Sequence, residues 1–127
     1  MSSSHPPSSL SSLVCNGVPT DLMVQLYSDR IFVSITQVGK MGTLLTGSYS
    51  TNPHNDRKSY DVDVLLGKRD DPLLSIYCRQ LVEKCAEVDK VQGRPVLLSV
   101  GLKEEGRDSG TFAELLNEVL KMFVNLL

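Results

Sequence analysis

The sequence predicts an α+β fold, a two-layer sandwich in which about six mainly antiparallel strands carry two helices packed on one face. Three observations predict it. Residues 21–28, 30–38 and 60–66 alternate with the period of two that places successive side chains on opposite faces of a sheet. Two later stretches instead carry apolar stripes at helical spacing. One strand parity is aliphatic throughout, with Leu22, Val24, Leu26, Ile31, Val33, Ile35, Val62 and Val64, so both helical stripes have the same face to cover. The other parity mixes Met23, Gln25, Tyr27, Phe32, Ser34 and Thr36, which is too apolar for a face that only meets water.

In chain order, residues 1–12 are rich in Ser and Pro with one Leu, and are expected to form a disordered N-terminal tail. Residues 13–127 are expected to form a single α+β domain. A short first strand begins near Leu13 and ends at Asn16-Gly17, and Gly17-Val18-Pro19-Thr20 turns the chain, because Pro19 fixes its own φ and biases Val18 away from helix. Strand 21–28 follows, then a tight turn at Ser28-Asp29. Ile31, Val33 and Ile35 alternate with Phe32, Ser34 and Thr36, and Gly39-Lys40-Met41-Gly42 reads as the reversal of a central β-hairpin returning through residues 43–46. Residues 47–59 are polar, contain the Asn52-Pro53 breaker and read as a mobile loop. Strand 60–66 has Asp61 and Asp63 on its second, wet face.

Asp71-Pro72 is a helix start, with Asp as N-cap and Pro at the first helical position, and Leu74, Tyr77, Cys78, Leu81, Cys85 and Val88 form the stripe of a helix reaching to about Val91. The strand over residues 95–102 is apolar and β-branched on both parities, as a central strand is. A charged loop over residues 103–110 leads to the last helix, where Thr111-x-x-Glu114 reads as a capping box ahead of the stripe Phe112, Leu115, Leu116, Val119, Leu120 and Phe123.

Chemistry is scarce in this sequence. With 127 residues and a net charge of −2, it has no Lys/Arg cluster of the kind that gives phosphate-backbone binders their affinity. No apolar run is long enough to span a bilayer, and the N-terminus lacks the basic and apolar parts of a secretory signal, so the expectation is a soluble cytoplasmic protein with the nucleus as a second compartment. Three cysteines without metal-ligand spacing fit reduced thiols acting as small buried hydrophobes; Cys78 and Cys85, seven apart on a helix, are roughly 10 Å apart at ~1.5 Å rise per residue, too far for a disulfide. His5 and His54 sit in segments that hold no general base in place, and Asp61 with Asp63 has no ligand-spaced companion. Gly39-x-x-Gly42 lacks the Gly-Lys-Ser/Thr of a phosphate-binding loop. No catalytic residue, cofactor site or metal site is expected.

Four stretches carry a resemblance. Gly17-Val18-Pro19-Thr20, Thr36-Gln37-Val38-Gly39-Lys40-Met41-Gly42-Thr43-Leu44, Val64-Leu65-Leu66-Gly67 and Pro95-Val96-Leu97-Leu98-Ser99-Val100 occur in the order and approximate spacing of the proteasome assembly chaperone 3 family. The sequence resembles that family from about Leu13 to Leu120, with T-Q-x-G-K-M-G-T-L as the specific part. The resemblance implies an α+β sheet with helices on one face and a small non-catalytic chaperone of 20S proteasome assembly. It also implies a heterodimer with proteasome assembly chaperone 4 that binds α-subunits of the 20S core particle, helps order the α-ring and leaves before the mature particle forms. Some members form homodimers in isolation.

Residues can be attached to these expectations. Met23, Tyr27 and Phe32 are large side chains on the mixed sheet face and are expected at a dimer interface. Lys40 and Met41 are expected in the α-subunit contact, since an adaptable apolar side chain beside a positive charge is unusual at a turn. The alternative is a small RNA-binding module that uses the Gly39–Gly42 loop, in the manner of a KH-type GXXG segment, with Lys40, Lys68 and Arg69 as phosphate contacts.

Overall fold

The chain forms β1 (Ser8–Cys15), β2 (Val18–Leu26), β3 (Ile31–Thr36), β4 (Thr43–Thr51), β5 (Lys58–Leu66), α1 (Pro72–Ala86), β6 (Val96–Gly101) and α2 (Ser109–Leu126). This computed structural model describes residues 7–15, 17–37, 42–67, 72–87, 94–103 and 109–126. The six strands make one open sheet in the order β1-β2-β3-β6-β4-β5. Every neighbouring pair is antiparallel except β3 and β6, which run parallel with Ile31 opposite Val96 and Thr36 opposite Gly101.

Both helices lie on one face. On α1, Leu74, Tyr77, Cys78, Leu81, Val82 and Cys85 are buried, and the helix packs on β4, β5 and β6; α2 packs on β1 and β2. The aliphatic parity beneath them, Leu22, Val24, Ile31, Val33, Ile35 and Leu98, is fully buried, and on α2 Phe112, Leu115, Val119 and Phe123 are buried against it. The helices meet where the Tyr77 and Phe112 rings stack, with centroids 3.7 Å apart and planes 3° from parallel. The α+β two-layer sandwich expected from the sequence is the observed fold, with a mixed sheet containing one parallel pair.

The central hairpin is corrected. β3 and β4 do not pair, because β6 lies between them. A strand apolar on both parities gains most from neighbours on both sides, and Val96, Leu98 and Val100 fill the middle of the covered face. β3 and β4 are therefore each paired with β6 and not with each other, so they do not close a two-strand ribbon. Gly42 is needed for close approach rather than for a positive φ: a Cβ there would collide with the Val100 carbonyl oxygen and come within 2.8 Å of Gly101 Cα.

The loop expected at 47–59 is corrected as well. β4 runs on to Thr51 and β5 begins at Lys58, with Tyr49 opposite Tyr60. Polarity misled the reading here because Ser, Thr and Tyr alternate as readily in a strand as in a loop. Gly47 lets α1 approach, since a Cβ there would lie 2.6 Å from Val82 Cγ2 and 3.0 Å from Cys78 Sγ. Only the tip turns, with His54 N donating to Asn52 Oδ1 at 2.8 Å and Arg57 N to Asn55 Oδ1 at 3.0 Å.

Strand β1 starts at Ser8, inside the stretch expected to be a tail through Ser12. Its ladder with β2 pairs every residue from Ser8 opposite Gln25 to Cys15 opposite Val18, and main-chain pairing does not depend on the side-chain burial that composition measures. Helix α2 begins at Ser109, so Thr111 lies in its first turn and not at the cap. Glu114 instead faces β1, where Cys15 Sγ donates to its Oε2 at 2.8 Å. Asp71 and Val88 lie outside the described residues.

Candidate interaction site

The second parity of the strands forms the face away from both helices. Two rows of opposed residues cross it. One passes from Leu10 through Met23, Ser34 and Ser99 to Leu44. The other passes from Gln25 through Phe32, Leu97 and Thr46 to Asp63. Phe32 beside Leu97 makes the apolar centre, and Met23 and Leu44 flank the two small serines. Ser99 is only 5% exposed although no helix lies over it, because its strand neighbours close around it. Among the described residues, charge on this face lies at its ends and rim, at Asp21, Asp29, Arg30, Asp61 and Asp63.

At one end of the face the β2–β3 turn builds a trough. Tyr27 N donates to Arg30 O and Arg94 Nη1 donates to Tyr27 O, each at 2.9 Å, which fixes the turn against the start of β6. Gln25, Tyr27, Asp29, Arg30, Phe32 and Leu97 line a depression of about 470 Å³. A second depression of about 230 Å³ continues it over Thr46, Leu65 and Pro95. The Tyr27 hydroxyl donates to Gln25 Oε1 at 3.1 Å, and Arg30 Nη2 pairs with Asp29 Oδ2 at 3.1 Å. That hydrogen bond from Arg30 holds the Asp29 carboxyl below its ordinary range.

Of the residues expected at a dimer interface, Met23 and Phe32 lie half-buried on this open face. Tyr27 lies just past the end of β2, 38% exposed, at the wall of the trough. Leu97 and Leu44 belong with them; the signal was the double parity of β6 and the T-L-L of β4, but which parity faces outward is set by the register. Lys40 and Met41 lie outside the described residues.

Gln37, which precedes Lys40 and Met41 in the chain, has a role that sequence reasoning missed. Gln37 is 6% exposed and closes three elements together. Its N donates to Gly101 O at 2.8 Å, its Nε2 donates to Thr20 Oγ1 at 3.2 Å, and its Oε1 accepts from Lys103 N at 2.9 Å. Thr20 in turn donates to Val18 O at 3.1 Å. On the far side Gly67 abuts Thr43, where a Cβ would lie 2.9 Å from Thr43 Cα. Thr20, Gln37, Gly42, Thr43 and Gly67, from three of the resembling stretches, thus lie at one end of the sheet.

The thiols are withdrawn from this surface. Cys15, Cys78 and Cys85 are all buried and unbridged. Burial pushes the thiols of Cys78 and Cys85 up to about 12, so both stay protonated and unreactive near neutrality.

An open sheet with two helices on one face and an uncharged, half-apolar centre on the other defines an α+β module suited to contact with another protein surface. Comparison gives the family. The profile of the proteasome assembly chaperone 3 family matches residues 33–122, from β3 into α2. Proteasome assembly chaperone 3 of Homo sapiens is 33% identical over 87% of this chain and 85% of its own length. The Mus musculus protein of that name is 34% identical over 87% and 85%, and the Nematostella vectensis one 30% identical over 73% of each. The chain belongs to the proteasome assembly chaperone 3 family. Its fold is shared with a chain from the crystal structure of a chaperone complex for yeast 20S proteasome assembly, at a TM-score of 0.70 and 18% identity, over 91% of this chain and 96% of that one.

Proposed function

We propose that the chain is a non-catalytic chaperone that promotes assembly of the 20S proteasome α-ring in the cytoplasm, acting as a heterodimer with proteasome assembly chaperone 4. The observation that carries this reading is the open face, where Met23, Phe32, Leu44 and Leu97 form an apolar centre rimmed by charge. Membership of the family supports the pathway, and the complex in which the related fold occurs supports a chaperone as partner. A ring-assembly factor has to hold subunits and then release them, which calls for complementary surfaces of moderate strength and no nucleophile. The heterodimer partner covers the open face, and Lys40 and Met41, which follow the anchored Gln37 in the sequence, meet the α-subunit. There a lysine gives orientation and on-rate against an acidic patch more than affinity.

The test is capture of purified 20S α-subunits by the complex with proteasome assembly chaperone 4. Lys40→Glu with Met41→Ser keeps both neighbouring glycines. The double variant is expected to melt within a few degrees of the wild type and to bind the α-subunit at least about tenfold more weakly, roughly 1.4 kcal/mol. Equal affinity moves the subunit contact elsewhere, beginning with the charged segment 103–108.

A further inference from the structure

The two edges of the sheet differ in what decides whether an edge strand stays single. Along β5, Lys58, Asp61 and Asp63 place charges that an added strand would have to desolvate. Along β1, the sequence S-S-L-S-S-L-V-C carries neither charge nor proline over its 8 residues. Two of its side chains, Leu10 and Val14, are 77% and 70% exposed, more than any other large apolar side chain among the described residues.

The register shows which main-chain groups are open. Leu26 N donates to Pro7 O at 2.9 Å, so Pro7 and Leu26 form a hydrogen-bonded pair. The unbroken β1–β2 ladder carries that state to Ser9, Ser11, Leu13 and Cys15. In an antiparallel ladder these alternate with residues whose N–H and C=O point away from the partner strand. On β1 those are Ser8, Leu10, Ser12 and Val14, and among the described residues no strand lies beyond them.

We infer that β1 pairs with β1 of a second copy of this chain, antiparallel about Ser12, so that the two sheets continue into one. The outward groups belong to even-numbered residues, so only registers that oppose even with even positions satisfy them. Among these, the register centred on Ser12 sets Leu10 of each copy against Val14 of the other. Both exposed side chains then gain an apolar mate across a hydrogen-bonded pair, at about 5.5 Å between Cα atoms. On the covered face the same register opposes Ser11 with Leu13 and Ser9 with Cys15, bringing no charge into the seam. Ser12 Oγ donates to Asp21 Oδ1 on β2 at 2.8 Å, on the side away from the added strand. The seam leaves the open sheet face free, so it does not depend on the heterodimer proposed above.

Hydrogen exchange of the Leu10, Ser12 and Val14 amides in the full chain, followed over a concentration series with sedimentation alongside, tests this. Pairing makes protection of these three amides rise at least about tenfold from dilute to concentrated protein. Exchange that ignores concentration overturns it, including the case where the chain dimerises and Phe32→Asp with Leu97→Asp abolishes the dimer, which assigns self-association to the open face. L10K and V14E are each expected to remove the concentration dependence. The combined variant L10K/V14E sets opposite charges across both pairs and recovers it; a combined variant that behaves like the single ones overturns the register. Should a charge variant fail to fold, Ser12→Pro removes an outward donor while leaving every β1–β2 bond, and concentration-dependent protection at Leu10 and Val14 in that variant contradicts the seam.

Discussion

The two faces of the sheet are made by the same strands in alternation, and they have different fates. Ile31, Val33 and Ile35 are sealed beneath the helices, while their neighbours Phe32, Ser34 and Thr36 remain half-open. The covered face is aliphatic and β-branched, as a permanent interior is. The open face mixes Met, Phe, Leu and Ser with charge only at its rim, a composition that tolerates water and gains from being covered. The proposed partner would close this face only in the complex, and such a face has to satisfy both conditions.

The covered face should break the molecule when it is cut. Phe112→Ala removes a buried ring stacked on Tyr77, and a loss of about 3–5 kcal/mol in unfolding free energy is expected from urea denaturation. A loss below about 1 kcal/mol would mean that the helix pair is not part of the core.

Much of this contrast was legible in the residues. Alternation placed Leu22, Val24, Ile31, Val33 and Ile35 on one face, and the helical stripes named Leu74, Tyr77, Cys78, Leu81 and Phe112 as their cover; all are buried. Strand order was not legible. Parity says which way a side chain points but not which strand lies beside it, so the apolar β6 was read as central while its insertion between β3 and β4 was missed. The serine-rich start of β1, residues 8–12, and the polar end of β4 were missed because their pairing is main-chain, and side-chain composition is silent about it. At the open site the large residues Met23 and Phe32 were legible. Leu97 and the Gln37 clamp were not, since both depend on contacts between residues distant in sequence.

Gln37 sharpens the comparison, because it is a buried polar side chain at the sheet end where the apolar cover runs out. Gln37→Ala leaves Lys103 N without its 2.9 Å acceptor and removes the link to Thr20, for an expected loss of about 1–3 kcal/mol. If the proposed α-subunit contact lies just beyond Gln37, capture of α-subunits should fall as well; unchanged stability and capture would show that the clamp is dispensable.

The buried thiols give the covered face a pH signature. Cys78 and Cys85 are raised from 9.0 to about 12 in the folded chain, so above about pH 9 the unfolded chain has lost protons that the folded chain still holds. Their contribution is complete below pH 9 and is lost as pH rises toward 12, by at most about 1.4 kcal/mol per pH unit for each thiol. Cys78→Ala with Cys85→Ala should flatten that alkaline slope in urea titrations, and an unchanged slope would assign it to other groups.

The most direct test of the open face is titration of proteasome assembly chaperone 4 against the wild-type chain and against Phe32→Asp with Leu97→Asp, with a thermal melt of each isolated protein. Both substitutions put a carboxylate on a face that the helices do not touch, so the melt should shift by only a few degrees. Burying two unpaired carboxylates under a partner should weaken binding by at least about a hundredfold, roughly 2.7 kcal/mol. Undiminished binding by a folded double variant would contradict the account and place the partner on another surface.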